Sequence, residues 1–245
     1  MIGETATAWL AEKKQKYLHG LDRQTTIVIL GSALLLILYR TYSRRRFFYT
    51  HFADNFGDHA LWELYPYYYW FLSTAVTLLL IPALVAIFGT NQKIRDYGFR
   101  LSNGKFGWGL AVAVWVLMVP CVILALQLFP AFQSKYPLCK LAGSRWQLFV
   151  PYEIAYGIYM FAWEFFFRGF MLFGLERKFG NNSILIQTIP FAVMHYNKPL
   201  PEAIGSIFAG VFLGVFALET RSFIYGAAIH WFVAMTMDML AVVWR

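Results

Sequence analysis

The sequence predicts an all-α fold, a polytopic transmembrane helical bundle of about seven to eight spans, and three observations predict it. Of 245 residues, 59% are hydrophobic and only 14% are charged, a balance that soluble domains do not show. Two stretches, Leu64 to Gln92 and Phe106 to Ser134, each run 29 residues without Asp, Glu, Lys or Arg, where about 20 apolar residues suffice to cross the hydrocarbon. Both stretches are apolar all round, whereas core helices of a soluble bundle would keep a polar face at a 3.6-residue period.

Taken in order, the first 24 residues lack the apolar core and small-residue cleavage site of a removable signal, so the first span, Thr25 to Tyr42, is expected to act as an uncleaved anchor. Arg23 precedes it and Arg44, Arg45 and Arg46 follow it, and basic flanks at both ends leave its orientation open. The net charge of +8 fits basic loops lying against anionic lipid, while no basic domain or stacking platform supports a nucleic-acid partner. His59 to Phe71 gathers Trp62, Tyr65, Tyr67, Tyr68, Tyr69 and Trp70, which reads as an aromatic belt at the interface. Pro66 sets the start of the span behind it. The polar connections after the second and third long spans are loops with Asn and Gly turn signals. Cys121 and Cys139 share no metal-ligand spacing and suggest no disulfide framework. Residues 1–90 are expected to be N-terminal membrane-anchoring helices and 91–245 the functional core of one integrated membrane domain.

From about Phe149 the apolar pattern admits ionisable groups, which are costly at membrane depth and mark where function is to be sought. Glu164 and Arg168 stand four apart, on one helix face, and can neutralise each other. His195 closes the next apolar stretch; alone, it reads more often as a packed histidine bonded to a backbone carbonyl than as a catalyst. Gly205, Gly210 and Gly214 admit close helix packing. His230 and Asp238 lie inside the last span, separated by roughly 12 Å along the axis and about 80° around it, so they do not share one ligand. His230 is the catalytic candidate of the two, and Asp238 is expected to support the fold by pairing with a cation such as Arg168.

Together, W-E-F-F-F-R-G at 163–169, F-A-V-M-H at 191–195 and His230 in the last span resemble the three signatures of the CPBP family, which contains the type II CAAX prenyl endopeptidases and bacteriocin-processing membrane proteases. The usual patterns are EExxxR, FxxxH and HxxxN or HxxxD, and the resemblance runs from about Arg95 to the end of the chain. It implies an intramembrane endopeptidase in which a glutamate and a histidine activate water while a second histidine and an asparagine stabilise the oxyanion. Carried over by position, Glu164, His195 and His230 are the catalytic residues, with Arg168 and Asp238 in support. Trp163 stands where the first glutamate would be, and Ala234 where the asparagine or aspartate would be.

The reading is therefore an endopeptidase of a bacterial inner membrane that cleaves a membrane-proximal protein segment, in C-terminal processing or sorting. It uses no cofactor, and its partners are a protein or peptide substrate and the lipid bilayer. Two alternatives stand beside it: a zinc-dependent hydrolase with Glu164, His195 and His230 as ligands, and a non-catalytic relative that binds hydrophobic segments, motivated by Trp163 and Ala234. A transporter lacks support because neither paired broken helices nor inverted repeats occur.

Overall fold

The computed structural model describes residues 2–56, 59–90 and 92–244. Helix α1, Ile2–Lys13, precedes six helices long and apolar enough to cross a membrane. These are α2 (Arg23–Tyr42), α4 (Trp62–Gly89), α5 (Gly104–Leu128), α7 (Trp146–Phe179), α9 (Leu200–Thr220) and α10 (Ile224–Val243). Between them lie the short α3 (Arg45–His51), α6 (Pro130–Lys135) and α8 (Asn182–Val193). The count is thus six long helices and a shorter apolar seventh, at the lower edge of the seven to eight expected. One reason is that α7 runs unbroken through 34 residues; another is that α8, at 12 residues, falls short of the roughly 20 that span hydrocarbon.

Local chemistry sets the helix ends and irregularities. Asp22 caps α2, its carboxylate accepting from the Thr25 amide at 2.8 Å, and that bond holds the carboxyl below the usual carboxylate range. Pro66 sits in the first turn of its helical stretch, where its missing N–H costs nothing. In α4 a π-helical turn at Val76–Leu80 precedes Pro82, the arrangement by which a helix absorbs an internal proline.

Helix α7 is the axis of the bundle. Its second half is buried all round, through Phe165, Phe166, Phe167 and Phe170, while its first half buries Phe149, Tyr152, Tyr156 and Tyr159 and leaves Val150, Ile154 and Ile158 exposed. Outer helices instead bury one stripe and turn the other outward: Val116, Leu117 and Leu124 of α5 and Phe208 and Val215 of α9 are exposed, a surface that lipid and not water would cover. Small residues allow the closest approaches. A Cβ on Gly157 would stand 2.8 Å from the Trp231 ring, and one on Gly210 would stand 2.7 Å from Thr188, so both must be glycine for their helices to meet. Gly214 is similarly crowded by Ile184 at 3.0 Å, whereas Gly205 faces open space and contributes no packing.

The aromatic belt divides along its helix. Tyr65, Tyr68 and Tyr69 stay partly or fully accessible, but Tyr67, Trp70 and Phe71 are buried. Phe71 stacks on Tyr156 with ring centroids 5.0 Å apart, and Trp70 meets Tyr159 edge-on at 5.1 Å. The helix starts at the interface, so half its rings fall on the face turned to α7, where area burial outweighs interfacial placement. The basic flank of α2 seals this face: Arg45 lies over the Tyr67 ring at 4.3 Å and Arg44 over the Trp70 ring at 5.1 Å. Both cysteines are free, Cys139 buried and Cys121 exposed.

Candidate active site

Four of the ionisable groups singled out in the sequence meet at mid-length of α7. Glu164 and Arg168 are fully buried, and Arg168 Nη1 donates to Glu164 Oε1 at 3.0 Å. The helix widens into a π-helical stretch, Phe165–Phe173, immediately after Glu164, a distortion that occurs preferentially at functional sites. Across the interface with α10, His230 Nδ1 lies 2.7 Å from the same Oε1. A carboxylate only accepts, so Nδ1 carries the hydrogen.

His195 comes from the turn that ends α8, where the Met194 amide reaches Pro190 O at 3.0 Å and the His195 amide reaches Ala192 O at 2.9 Å. Its Nδ1 lies 2.7 Å from Phe191 O, again fixing Nδ1 as the donor. The bonded-to-carbonyl arrangement that a lone histidine suggested is therefore present, and it serves to aim the ring. His195 and His230 are nearly parallel, 20° between planes and 6.4 Å between centroids. Each imidazole has spent Nδ1 on the protein, and among the described residues neither Nε2 has a protein partner. Two acceptor nitrogens thus belong to rings held face to face. Phe191 ties the group together, since its ring lies 3.9 Å beneath the Arg168 guanidinium and 4.6 Å from the His195 ring.

Trp163 and Glu164, adjacent in sequence, point different ways. Trp163 packs between Tyr39, Tyr159 and Phe167 and presents its ring edge-on to His195 at 6.0 Å, at 79°. A carboxylate at 163 would thus belong to His195, as Glu164 belongs to His230. Ala234, one turn beyond His230, packs against the same core and offers no donor.

Asp238 does not join this group, which corrects the expected pairing with Arg168. Arg168 is committed to Glu164 on its own helix, while Asp238 sits two turns further along α10 and faces Glu153 of α7. Glu153 escaped the reading of the sequence, although the signal that found Glu164, an ionisable group in an apolar span, applies to it equally.

A second cluster closes the rim beside His195. Lys198 donates to the Tyr136 hydroxyl at 2.6 Å, and that hydroxyl donates to Glu202 at 2.8 Å. Lys198 also pairs with Glu202 at 2.9 Å. Lys135 donates to Asn197 O. Burial, with Glu202 beside it, pushes the Tyr136 hydroxyl well above the usual tyrosine range, so it stays a donor and pins the loop after α6 onto the His195 turn.

Residues 145–236 match the family model described as type II CAAX prenyl endopeptidase Rce1-like. The match agrees with the CPBP resemblance that the sequence patterns carry. It begins at the foot of α7 and ends between His230 and Asp238, so it holds all four clustered residues and is shorter than the stretch from Arg95 that the sequence patterns suggested. Rce1-like proteins are a family of membrane proteases, and the six apolar helices make this chain an integral membrane protein. No curated protein and no solved structure matches the chain.

Proposed function

We propose that the chain is an intramembrane endopeptidase that cleaves a membrane-proximal segment of a protein substrate. The observation that carries this reading is the paired presentation of His195 and His230, each fixed through Nδ1 and each with an unengaged Nε2, beside a buried carboxylate. A water donating to these nitrogens, at hydrogen bonds of about 2.8 Å, is the nucleophile of this reading. His230 takes a proton from that water as its oxygen attacks the substrate carbonyl, and Glu164 stabilises the imidazolium through Nδ1–H, the part a carboxylate plays in a hydrolase triad. When the C–N bond breaks, the proton passes to the leaving amine. Glu164 in this scheme orients the base: Oε1 accepts from both Arg168 and His230, and Oε2 meets no donor among the described residues.

Ala234 leaves the oxyanion short of one donor, a loss worth about a hundredfold to a thousandfold in rate, and the expected enzyme is slow. The role that fits is trimming or sorting the tails of exported proteins in a bacterial inner membrane. A zinc ion is not well served by these residues: among those described no three His, Cys, Asp or Glu side chains gather as ligands, and Glu164 has given Oε1 to two cationic or N–H partners. No step is routed through a metal.

A non-catalytic relative that binds hydrophobic segments is the second reading, favoured by the Trp163 ring lying where His195 would meet a carboxylate. Terminal peptides of membrane proteins separate the two, compared in cells carrying the wild-type chain, its deletion or His195→Ala. New termini seen only with wild type establish proteolysis and name the substrate. Identical termini across the three, with the variant present at wild-type levels, favour binding.

A further inference from the structure

Outside the active site, the structure buries two acids that no reaction step uses. Glu153 is 4% exposed and Asp238 is 0% exposed. Their carboxyl groups face each other across the α7–α10 interface, and none of the four oxygens meets an N–H or O–H donor at hydrogen-bond geometry. The cations that face Asp238 from other elements are Lys140 and Lys198, and Lys198 is already bonded to Glu202 and Tyr136. The remaining titratable neighbours, Tyr67, Tyr136, Tyr152 and Tyr156, are hydroxyls that bring no positive charge. The Leu138 amide approaches Asp238 from the loop, and the Trp231 indole turns toward Glu153.

Two carboxylates in contact in a low-dielectric interior cannot both stay ionised, because mutual repulsion adds to the loss of solvation of each. One proton between them removes the repulsion and supplies the missing donor, forming an O–H···O⁻ bond of the charge-assisted kind. We propose that Glu153 and Asp238 form a proton-binding site, one proton bridging the two carboxyl groups and tying α7 to α10 below the Glu164–His230 pair. The ligand is a proton and not a metal ion, since a divalent cation would require further ligands and the pair offers two carboxyl groups alone. The pair carries a single negative charge, and the helices that bear the candidate active site are held together by the same interface. This inference stands whether or not the chain cleaves protein.

Infrared spectroscopy of the full chain in lipid nanodiscs tests it. The expected result at neutral pH is a protonated-carboxyl C=O stretch that shifts down in D2O and is lost in the double variant Glu153→Gln/Asp238→Asn, whose two amides can bond each other and preserve the contact. Sodium chloride should leave the wild-type band unchanged. A wild-type spectrum without the band overturns the proposal and needs no variant; so does a band that persists in the double variant, or one that sodium abolishes, which would make the pair a cation site.

Discussion

Helices α7 and α10 meet at two buried polar stations, roughly 16 Å apart along α7, and the two solve the same electrostatic problem differently. At the upper station Glu164 is balanced by Arg168 on its own helix and by an N–H of His230. At the lower, the carboxyl groups of Glu153 and Asp238 face each other, and none of their oxygens meets a donor at hydrogen-bond geometry among the described residues. Where a permanent cation neutralises the carboxylate, two imidazoles are free to keep their lone pairs for chemistry. The lower station joins its two helices through acids on both sides. The comparison separates a carboxylate balanced by cationic and N–H partners from a carboxyl pair that lacks them among the described residues, within one helix–helix interface.

Substitutions break the comparison in a definite order of size. His195→Ala removes one of the two acceptor nitrogens and is expected to lower cleavage by about a hundredfold to ten-thousandfold, read as loss of the new termini at unchanged protein level. Full activity in that variant would remove the upper station from the chemistry. Arg168→Leu leaves Glu164 buried without its cation, a loss of about 3–5 kcal/mol, visible as a protein that fails to accumulate or that melts far earlier in detergent. Wild-type melting would mean that His230 alone balances the charge.

Smaller effects sharpen the lower station. Asp238→Leu strands the Glu153 carboxyl and is expected to cost about 1–3 kcal/mol, whereas Asp238→Asn returns an N–H donor to Glu153 and should cost under about 1 kcal/mol. Thermal unfolding of both variants reads the difference, and equal losses would show that shape and not hydrogen bonding holds the pair. Cleavage by Asp238→Asn, normalised to the protein present, is expected to stay near wild type, because the substitution does not touch the imidazoles.

Much of this was legible from the chain alone. Apolar runs uninterrupted by charge betray spans, and the same arithmetic makes Glu164 and Arg168 conspicuous inside them; His195 and His230 gain their weight from the family resemblance, and the four meet in space. The pairing of Glu164 with Arg168 followed from spacing on one helix. What spacing could not give was the direction in which α7 turns its faces: that Glu164 belongs to His230 and Trp163 to His195 depends on how three helices are rotated about one another. Glu153 was passed over because it lies near the start of its span, where a carboxylate is usually wetted by the interface. In the folded chain it is buried nonetheless, facing Asp238 of α10. The aromatic belt was misjudged for a related reason, since a cluster of rings in sequence says nothing about which of them faces inward.

Gly157 and Trp231 lie between the two stations, the indole pressed so closely to the glycine that a methyl group would not fit. That ring is an insulator. Its apolar face closes the gap at Gly157 while its indole N–H turns toward Glu153, so the ring separates the lower carboxyl pair from the Glu164–His230 pair.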